Sequence, residues 1–345
     1  MRAEQVAVVT TQAAETVPVL DVRHVSVSYG RGRAEVRAVE DLSLTVAPGE
    51  IVGLAGESGS GKSTLAFAIT RLLRPPALLT KGKIFVDGTD VYALSERELE
   101  HFRWARVSIV FQSALNSLSP ILSIGTQIAD AIQAHEPVSR PEAVSRAAEL
   151  LHMVDVDPHR LSGFPHQLSG GQRQRVVIAM ALALRPRLVI FDEPTTALDV
   201  VVQKEILLKV QALQRDLGFS LLFITHDLSL LGEVAGRVFV MYAGRLTEAG
   251  ETRSLYTHPL HPYTQGLMAS FPSVFEARET LEGIPGNPPD MRNPPAGCRF
   301  HPRCARVMDI CRTLPPPLLP IRGDGGRLLA CHLYAELPEE GGEHA

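Results

Sequence analysis

Two glycine-rich segments of this chain carry residue types that bind phosphate groups. The first is Gly56-Glu57-Ser58-Gly59-Ser60-Gly61-Lys62-Ser63. It matches the pattern G-x-x-x-x-G-K-[ST], in which backbone amides wrap phosphates, the lysine reaches the β and γ oxygens and the last hydroxyl binds Mg²⁺. The second segment, just before a helix-forming run, is Leu168-Ser169-Gly170-Gly171-Gln172. Its amides would meet an anion at the positive end of that helix, so the two segments predict a nucleotide held between two protein surfaces.

Two carboxylates follow a short apolar run. Asp192 and Glu193 come directly after residues 188–191, Leu-Val-Ile-Phe, which predict a buried strand. Asp192 could orient Mg²⁺, and Glu193 could polarise an attacking water. A strand that ends in Asp-Glu is usually only a solvated end. In a chain with a phosphate loop, however, the pair indicates nucleotide hydrolysis.

Three single residues gain meaning from their positions after predicted strands or beside a glycine. Gln112 could bridge Mg²⁺ or water to a helical insertion, and His226 could contact the γ-phosphate. Tyr29 could stack on adenine through its ring face, with plain packing as the alternative.

The elements that must position these residues alternate along the chain. Short apolar runs predict buried strands at residues 51–55, 107–111, 188–191, 220–225 and 238–242. Helix-like segments lie between them, which predicts a parallel α/β sheet. Antiparallel strands are expected at residues 20–27 and 42–46 and in a hairpin at residues 82–91.

Composition divides the chain into three parts. Residues 1–18 are expected to form a leader and residues 19–265 the α/β domain, with a helical subdomain at about 113–165. Prolines cluster in the remaining part, residues 266–345, which predicts a small loop-rich C-terminal module. We expect this module to stand apart from the sheet and not to continue it.

Bulk composition excludes several classes of protein. The chain has 345 residues, 45% of them hydrophobic, and a net charge of −4, so we expect no nucleic-acid partner. No apolar run approaches the roughly 20 residues needed to span a bilayer, and the N-terminus does not resemble a secretory signal. These features predict a soluble cytoplasmic protein that acts at a membrane only through partners.

The cysteines are confined to the C-terminal module. They are Cys298, Cys304, Cys311 and Cys331. In a cytosolic chain such clustering favours a metal site over disulfides, although unligated thiols are an alternative. The spacings lack C-x₂-C pairs and suit either a [4Fe–4S] cluster or a Cys₄ zinc site. His301 and His332 could replace one thiol.

The order of the motifs resembles that of ATP-binding cassette (ABC) ATPases over residues 19–265. The motifs are the phosphate loop, Gln112, residues 168–172, Asp192-Glu193, Ala197-Leu198-Asp199 and His226. The resemblance implies the ABC-type fold, a mixed sheet with an antiparallel β subdomain and a helical subdomain. It also implies ATP and Mg²⁺ as cofactors, with Mg²⁺ held by Ser63, Gln112 and Asp192.

The same resemblance assigns roles to individual residues. It implies that Tyr29 stacks on adenine, that Thr64 borders the ATP site and that Glu193 is the catalytic base, with Lys62, Gln112 and His226 assisting. In this family two cassettes pair head to tail. Residues 168–172 and Asp199, in the loop between subunits, would therefore serve the ATP bound by the partner cassette.

The tail is similar to the C-terminal extension of oligopeptide/dipeptide importer ATPases. The similarity lies in His261-Pro262-Tyr263-Thr264, in Ile284-Pro285-Gly286 and in residues 297–304, Gly-Cys-Arg-Phe-His-Pro-Arg-Cys. It implies a [4Fe–4S] cluster on the four cysteines in preference to zinc. Residues 113–125 look like the segment that receives a membrane subunit's coupling helix, although Ser119 stands where many relatives have Asn.

Together these resemblances predict the energy-coupling ATPase of a peptide importer at the cytoplasmic face of the cell membrane. The expected partners are a second, different ATPase subunit, two membrane permease subunits and an extracytoplasmic substrate-binding protein. The alternatives are an importer of nickel or oligosaccharides, a soluble ABC ATPase of DNA repair or translation, and a regulatory subunit without turnover.

Overall fold

The computed structural model describes residues 17–32, 35–111, 117–195, 198–270, 283–321 and 324–334. Over these ranges the strands form two sheets. The strands are β1 (Leu20–Tyr29), β2 (Val36–Val46), β3 (Ile51–Ala55), β4 (Ala77–Val86), β5 (Thr89–Asp90), β6 (Val107–Val110), β7 (Leu188–Asp192), β8 (Ser220–Thr225), β9 (Arg237–Tyr242), β10 (Arg245–Glu251), β11 (Leu319–Pro320) and β12 (Leu328–Leu329). The helices are α1 (Lys62–Ile69), α2 (Glu96–Ala105), α3 (Ile124–Gln133), α4 (Arg140–Met153), α5 (Gly170–Leu182), α6 (Val200–Leu217), α7 (Leu228–Val234), α8 (Thr252–Thr257), α9 (Pro262–Ala269) and α10 (Asp309–Thr313).

The larger sheet has the strand order β11-β12-β10-β9-β3-β8-β7-β6. The strands from β9 to β6 in this order run parallel, and β10, β12 and β11 add an antiparallel edge. The smaller sheet is antiparallel, in the order β2-β1-β4-β5. The predicted mixed α/β architecture is confirmed, including the hairpin, whose turn places Asp87 and Gly88 at positive φ.

The continuous apolar runs of the central strands are explained by the two cores. Every residue of β7 and of β8 is buried. On β7, Val189 and Phe191 contribute to one hydrophobic cluster, whereas Leu188 and Ile190 contribute to the other. Because side chains alternate along a strand, a strand covered on both faces needs apolar residues at every position.

The helical insertion is built on serine caps. Ser123 caps α3 through the Thr126 N–H at 3.2 Å, and Ser139 caps α4. The two helices pack on each other through buried side chains that include Ile128, Ile132 and Ala147. Among the described helices, none is long and apolar enough to cross a membrane.

The expectation that the C-terminal module stands apart from the sheet is wrong. Leu328 and Leu329 of β12 pair with Ala249 and Glu248 of β10, so the module extends the larger sheet. An uncovered β10 would present unpaired N–H and C=O groups, which explains why the chain returns to cover it. A buried ion pair between Arg327 and Glu248, at 2.5 Å, holds the added strand in place.

Candidate active site

The phosphate loop connects β3 to α1, and two of its glycines are required by crowding. Gly56 and Gly61 have φ angles of 152° and 104°, in the region that favours glycine. A Cβ at Gly56 would overlap the Met241 carbonyl oxygen, and one at Gly61 would overlap that of Ala38. The loop therefore runs against the ends of neighbouring strands, with its amides at the start of α1.

Lys62 is enclosed by the loop that precedes it. Its Nζ donates to the carbonyl oxygens of Gly56 at 2.7 Å and Glu57 at 2.9 Å, and to Ser60 Oγ at 3.4 Å. Burial lowers the pKa of Lys62, and nearby carboxylates, Glu193 foremost, act in the opposite direction. In this sequence pattern, the lysine ammonium binds the β- and γ-phosphate oxygens.

Ser63 and Asp192 form the part of the site that suits Mg²⁺. Ser63 Oγ donates to Asp192 Oδ1 at 3.0 Å, and burial raises the pKa of Asp192. A hydroxyl and a carboxylate supply the hard oxygen ligands that Mg²⁺ takes alongside substrate phosphates. These two residues could hold the ion. Gln112, also predicted as a ligand, lies outside the described residues.

Glu193 and His226 meet at the ends of adjacent strands. His226 Nδ1 lies 3.4 Å from Glu193 Oε1, and the two side chains are 44% and 11% exposed. Glu193 has a φ of 48°, which is uncommon outside glycine, and its N–H donates to the Ile224 carbonyl at 2.9 Å. The strained turn brings the carboxylate towards His226, an arrangement that could orient a water.

Tyr29 lies beside the first turn of the phosphate-loop helix. Its hydroxyl is 3.2 Å from Thr64 Oγ1. This contact places the end of β1 next to the ATP site that the sequence predicts. Stacking on adenine remains a prediction.

The segment 168–172 forms the start of α5. Ser169 Oγ accepts from the Gln172 N–H at 3.2 Å, and Gln172 Oε1 accepts from the Ser169 N–H at 3.1 Å. Ser169 is exposed, whereas Gly171 lies against α6, where a Cβ would crowd Val202. Asp199 caps α6 through the Val202 N–H at 3.0 Å. Binding of a partner's ATP by these residues remains a prediction, and Ala197 lies outside the described ranges.

The phosphate loop and the C-terminal module are joined by contacts that the sequence does not predict. Arg303 forms a two-pronged ion pair with Glu57, at 2.7 and 3.1 Å, and the Glu57 N–H donates to Tyr263 Oη at 2.8 Å. Burial alone would lower the pKa of Arg303, but hydrogen bonds to Glu57 and Tyr242 raise it overall. The only sequence signal was that both Tyr263 and Arg303 belong to the tail motifs.

The four cysteines are free thiols that line one small cavity. His261, His301 and His332 line the same cavity. Burial raises the pKa of Cys298, Cys304 and Cys331, the last to about 11, and neighbouring thiols add to each shift. Within the described ranges, however, no group of three or more His, Cys, Asp or Glu side chains is arranged to hold a metal ion. The thiols converge without forming a site for a single ion.

Comparisons with known proteins agree with this geometry. Residues 39–196 match the ABC transporter family, and residues 247–311 match the oligopeptide/dipeptide transporter C-terminal region. The oligopeptide transport ATP-binding protein OppD of Bacillus subtilis is 42% identical over 306 residues, which are 88% of this chain and 86% of that protein. The dipeptide transport ATP-binding protein DppD of Caldanaerobacter subterraneus subsp. tengcongensis is 41% identical over 303 residues, which are 87% and 92% of the two chains.

A solved structure gives the same result for the fold. The ATP-binding cassette MJ0796, in a dimeric post-hydrolysis state bound to ADP and Pi, has a TM-score of 0.61 and 30% identity, covering 68% of this chain and 99% of that chain. The chain belongs to the ABC transporter family of ATPases. More narrowly, it carries the C-terminal region of the oligopeptide/dipeptide transporters. The predicted family, fold class and ATPase activity are confirmed, and ATP and Mg²⁺ are the cofactors that the family implies.

Proposed function

We propose that this chain is the energy-coupling ATPase of an importer for dipeptides or oligopeptides. One observation carries the proposal: the phosphate loop of an ABC ATPase and the peptide-transporter C-terminal region occur in one chain and contact each other through Glu57 and Arg303. The names of the similar proteins, which transport oligopeptides and dipeptides, favour peptides over nickel or oligosaccharides.

Each group of residues in the site has a separate role in ATP hydrolysis. Backbone amides within residues 56–63, other than the Glu57 N–H that donates to Tyr263 Oη, and the Lys62 ammonium bind the β- and γ-phosphates of ATP. Ser63 and Asp192 would hold Mg²⁺, which when bound would neutralise charge on the phosphate oxygens. Glu193 accepts a proton from the attacking water, and general-base help of this kind is worth roughly 10²–10⁴ in rate. His226, 3.4 Å from Glu193, contacts the γ-phosphate.

Two exposed surfaces support the partners that we propose. Ser169 at the start of α5 is exposed and could close over ATP bound by a second cassette, which we expect to be a different, related subunit. In the insertion, Ile121 is 82% exposed, an apolar side chain suited to a permease coupling helix. Residues 113–116 of that segment lie outside the described ranges. We place the chain on the cytoplasmic face of the membrane, with two permease subunits and an extracytoplasmic binding protein.

We also propose that the four cysteines bind a [4Fe–4S] cluster, with zinc as the competing metal. The support is that all four thiols line one cavity. Each of the four thiols would supply one ligand to the cluster, and their spacing without C-x₂-C pairs suits such a set. When bound, the cluster would stiffen the module.

Hydrolysis is tested with Glu193→Gln in the full chain, with Glu251→Gln, an exposed carboxylate, as the matched control. Glu193→Gln should bind ATP as the wild type does and lower turnover by about 10² or more. Unchanged turnover would remove Glu193 from the mechanism. A wild-type chain that binds ATP without turnover would instead support the regulatory alternative.

Transport is tested by co-purification with the membrane subunits and by reconstitution into vesicles. ATP-dependent uptake of a labelled oligopeptide supports the proposal. Uptake of nickel or oligosaccharide in its place identifies the related importers. A chain that purifies without any membrane subunit points to the soluble ATPases.

A further inference from the structure

Glu57, the second residue of the phosphate loop, is held at three places. Its backbone N–H donates to Tyr263 Oη at 2.8 Å, and its carbonyl accepts from Lys62 Nζ at 2.9 Å. Its carboxylate binds Arg303 at 2.7 and 3.1 Å. Two of these three partners, Tyr263 and Arg303, come from outside the loop. Neither is assigned a role by the hydrolytic site described above.

Arg303 is itself fixed from all sides. Besides Glu57, its guanidinium donates to Tyr242 Oη at 3.3 Å and to the carbonyls of Pro285 at 2.8 Å and Ile284 at 3.2 Å. These five hydrogen bonds match the five donors of a guanidinium, and the side chain is only 6% exposed. Such a group cannot follow a moving loop, so it holds the Glu57 carboxylate at one position.

Tyr263 is fixed by aromatic packing. Its ring centroid lies 4.5 Å from that of Tyr242 and 5.4 Å from that of Phe300, and the residue is fully buried. Phe300 comes from the cysteine-bearing module, three residues before Arg303. The module therefore supports both external contacts to Glu57, one directly and one through ring packing.

We propose that Arg303 and Tyr263 are positioning residues that pre-form the phosphate loop and thereby set the affinity for ATP. A loop already held in shape loses less conformational freedom when the triphosphate binds, and preorganisation of this kind appears as tighter binding. Arg303 and Tyr263 act through Glu57 and do not touch the reacting atoms. The inference rests on the assignment of residues 56–63 to ATP.

The test is calorimetric titration of the full chain with a non-hydrolysable ATP analogue, adenylyl imidodiphosphate, in the presence of Mg²⁺. Arg303→Gln should weaken binding about tenfold, a change of about 1.4 kcal/mol. The affinity of Arg303→Lys should lie between those of the wild type and Arg303→Gln, because lysine keeps the charge but not the two-pronged geometry. Arg292→Gln is the matched control, since Arg292 pairs with Asp290 in the same module and is 70% exposed.

Two further variants separate positioning from a general loss of stability. Tyr263→Phe removes only the hydroxyl that accepts the Glu57 N–H, so it should fold and bind the analogue more weakly than the wild type. It therefore tests the proposal independently if Arg303→Gln fails to fold. In a double-mutant cycle, Glu57→Gln with Arg303→Gln should cost no more affinity than either change alone. In ATPase assays, Arg303→Gln and Tyr263→Phe should have a raised KM for ATP and an unchanged kcat.

The outcomes distinguish this inference from the assignment on which it rests. If the wild type does not bind the analogue, the ATP site itself is misassigned. If the wild type binds it, and Arg303→Lys and Tyr263→Phe bind it equally well, the positioning role is overturned. Additive losses in the double variant, or a loss confined to kcat, would also overturn it.

Discussion

Ser63 Oγ donates a hydrogen bond to Asp192 Oδ1, and this 3.0 Å contact joins the first turn of α1 to the end of β7. The two residues are far apart in sequence and come from separate motifs, yet they present their oxygens to the same point. A hydroxyl on the phosphate loop and a carboxylate at the end of β7, which β8 separates from β3, are thus brought together before any ligand is considered.

This contact predicts the metal dependence of hydrolysis. We expect Asp192→Asn to raise the Mg²⁺ concentration for half-maximal turnover about tenfold or more, because the amide lacks the negative charge that Mg²⁺ prefers. The measurement is a Mg²⁺ titration at fixed ATP. Asp216→Asn, an exposed carboxylate on α6, should leave the titration unchanged. Equal curves for all three proteins would show that Asp192 does not serve the ion.

The position of His226 beside Glu193 predicts a loss in the chemical step. His226→Ala should lower kcat by roughly 10²-fold with little change in KM, because positioned groups of this kind act mainly in the transition state. Single-turnover assays measure the step directly. His152→Ala, an exposed histidine on α4, is the control. A change in KM alone would mean that His226 contributes to binding and not to the reaction.

Glu40 predicts how stability depends on pH. Burial opposes ionisation of Glu40, but its hydrogen bond to Arg245 and the charge of Arg299 lower its pKa overall from 4.5. An acid with a lowered folded-state pKa contributes stability above its unfolded pKa and loses it as the pH falls through the folded value. At pH 7, Glu40→Gln should therefore be less stable than the wild type by about 2 kcal/mol.

Urea unfolding at a series of pH values checks this prediction. The difference in the free energy of unfolding between the wild type and Glu40→Gln should be largest at pH 7. It should shrink below pH 4.5, the ordinary pKa of the carboxyl group. Asp21→Asn serves as a control for a carboxylate whose partner, Arg23, is 60% exposed. A difference that stays constant with pH would contradict the charge-based explanation.

The cysteine cavity predicts a visible product of purification. Protein purified without oxygen should be brown, with broad absorption near ~400 nm and about four iron atoms per chain. Cys311→Ser should remove most of the colour, whereas Ser162→Ala, an exposed serine elsewhere, should not. Colourless protein with one equivalent of zinc would decide for the competing metal, and metal-free protein would leave four unligated thiols.

How much of this structure the sequence predicts depends on the kind of signal. β8 was predicted with its observed bounds, because a strand buried on both faces leaves a largely apolar run. α2 was missed, although Ser95 and Glu98 form a capping box at its start. Its sequence is polar, so the start signal had no apolar periodicity to support it.

Contacts between distant segments could not be predicted. Arg303 and Glu57 are 246 positions apart, and neither local propensity nor periodicity carries information over that distance. The two-residue strand β12 is likewise too short for any alternation pattern. The motifs predict which residues would bind the nucleotide, whereas the contacts that hold those residues in place are visible only in the folded chain.

The late position of β12 and Arg303 in the chain has a consequence for biosynthesis. A ribosome emits the ATPase motifs first, and the N-terminal part of a chain folds before the rest is made. Until residue 329 has been synthesised, the edge of β10 has unpaired N–H and C=O groups that can pair with other chains. Until residue 303 has been synthesised, Glu57 lacks its ion pair with Arg303. A prematurely terminated product would carry every catalytic motif and still be incomplete. Maturation of this ATPase therefore depends on the synthesis of residues 303 to 329.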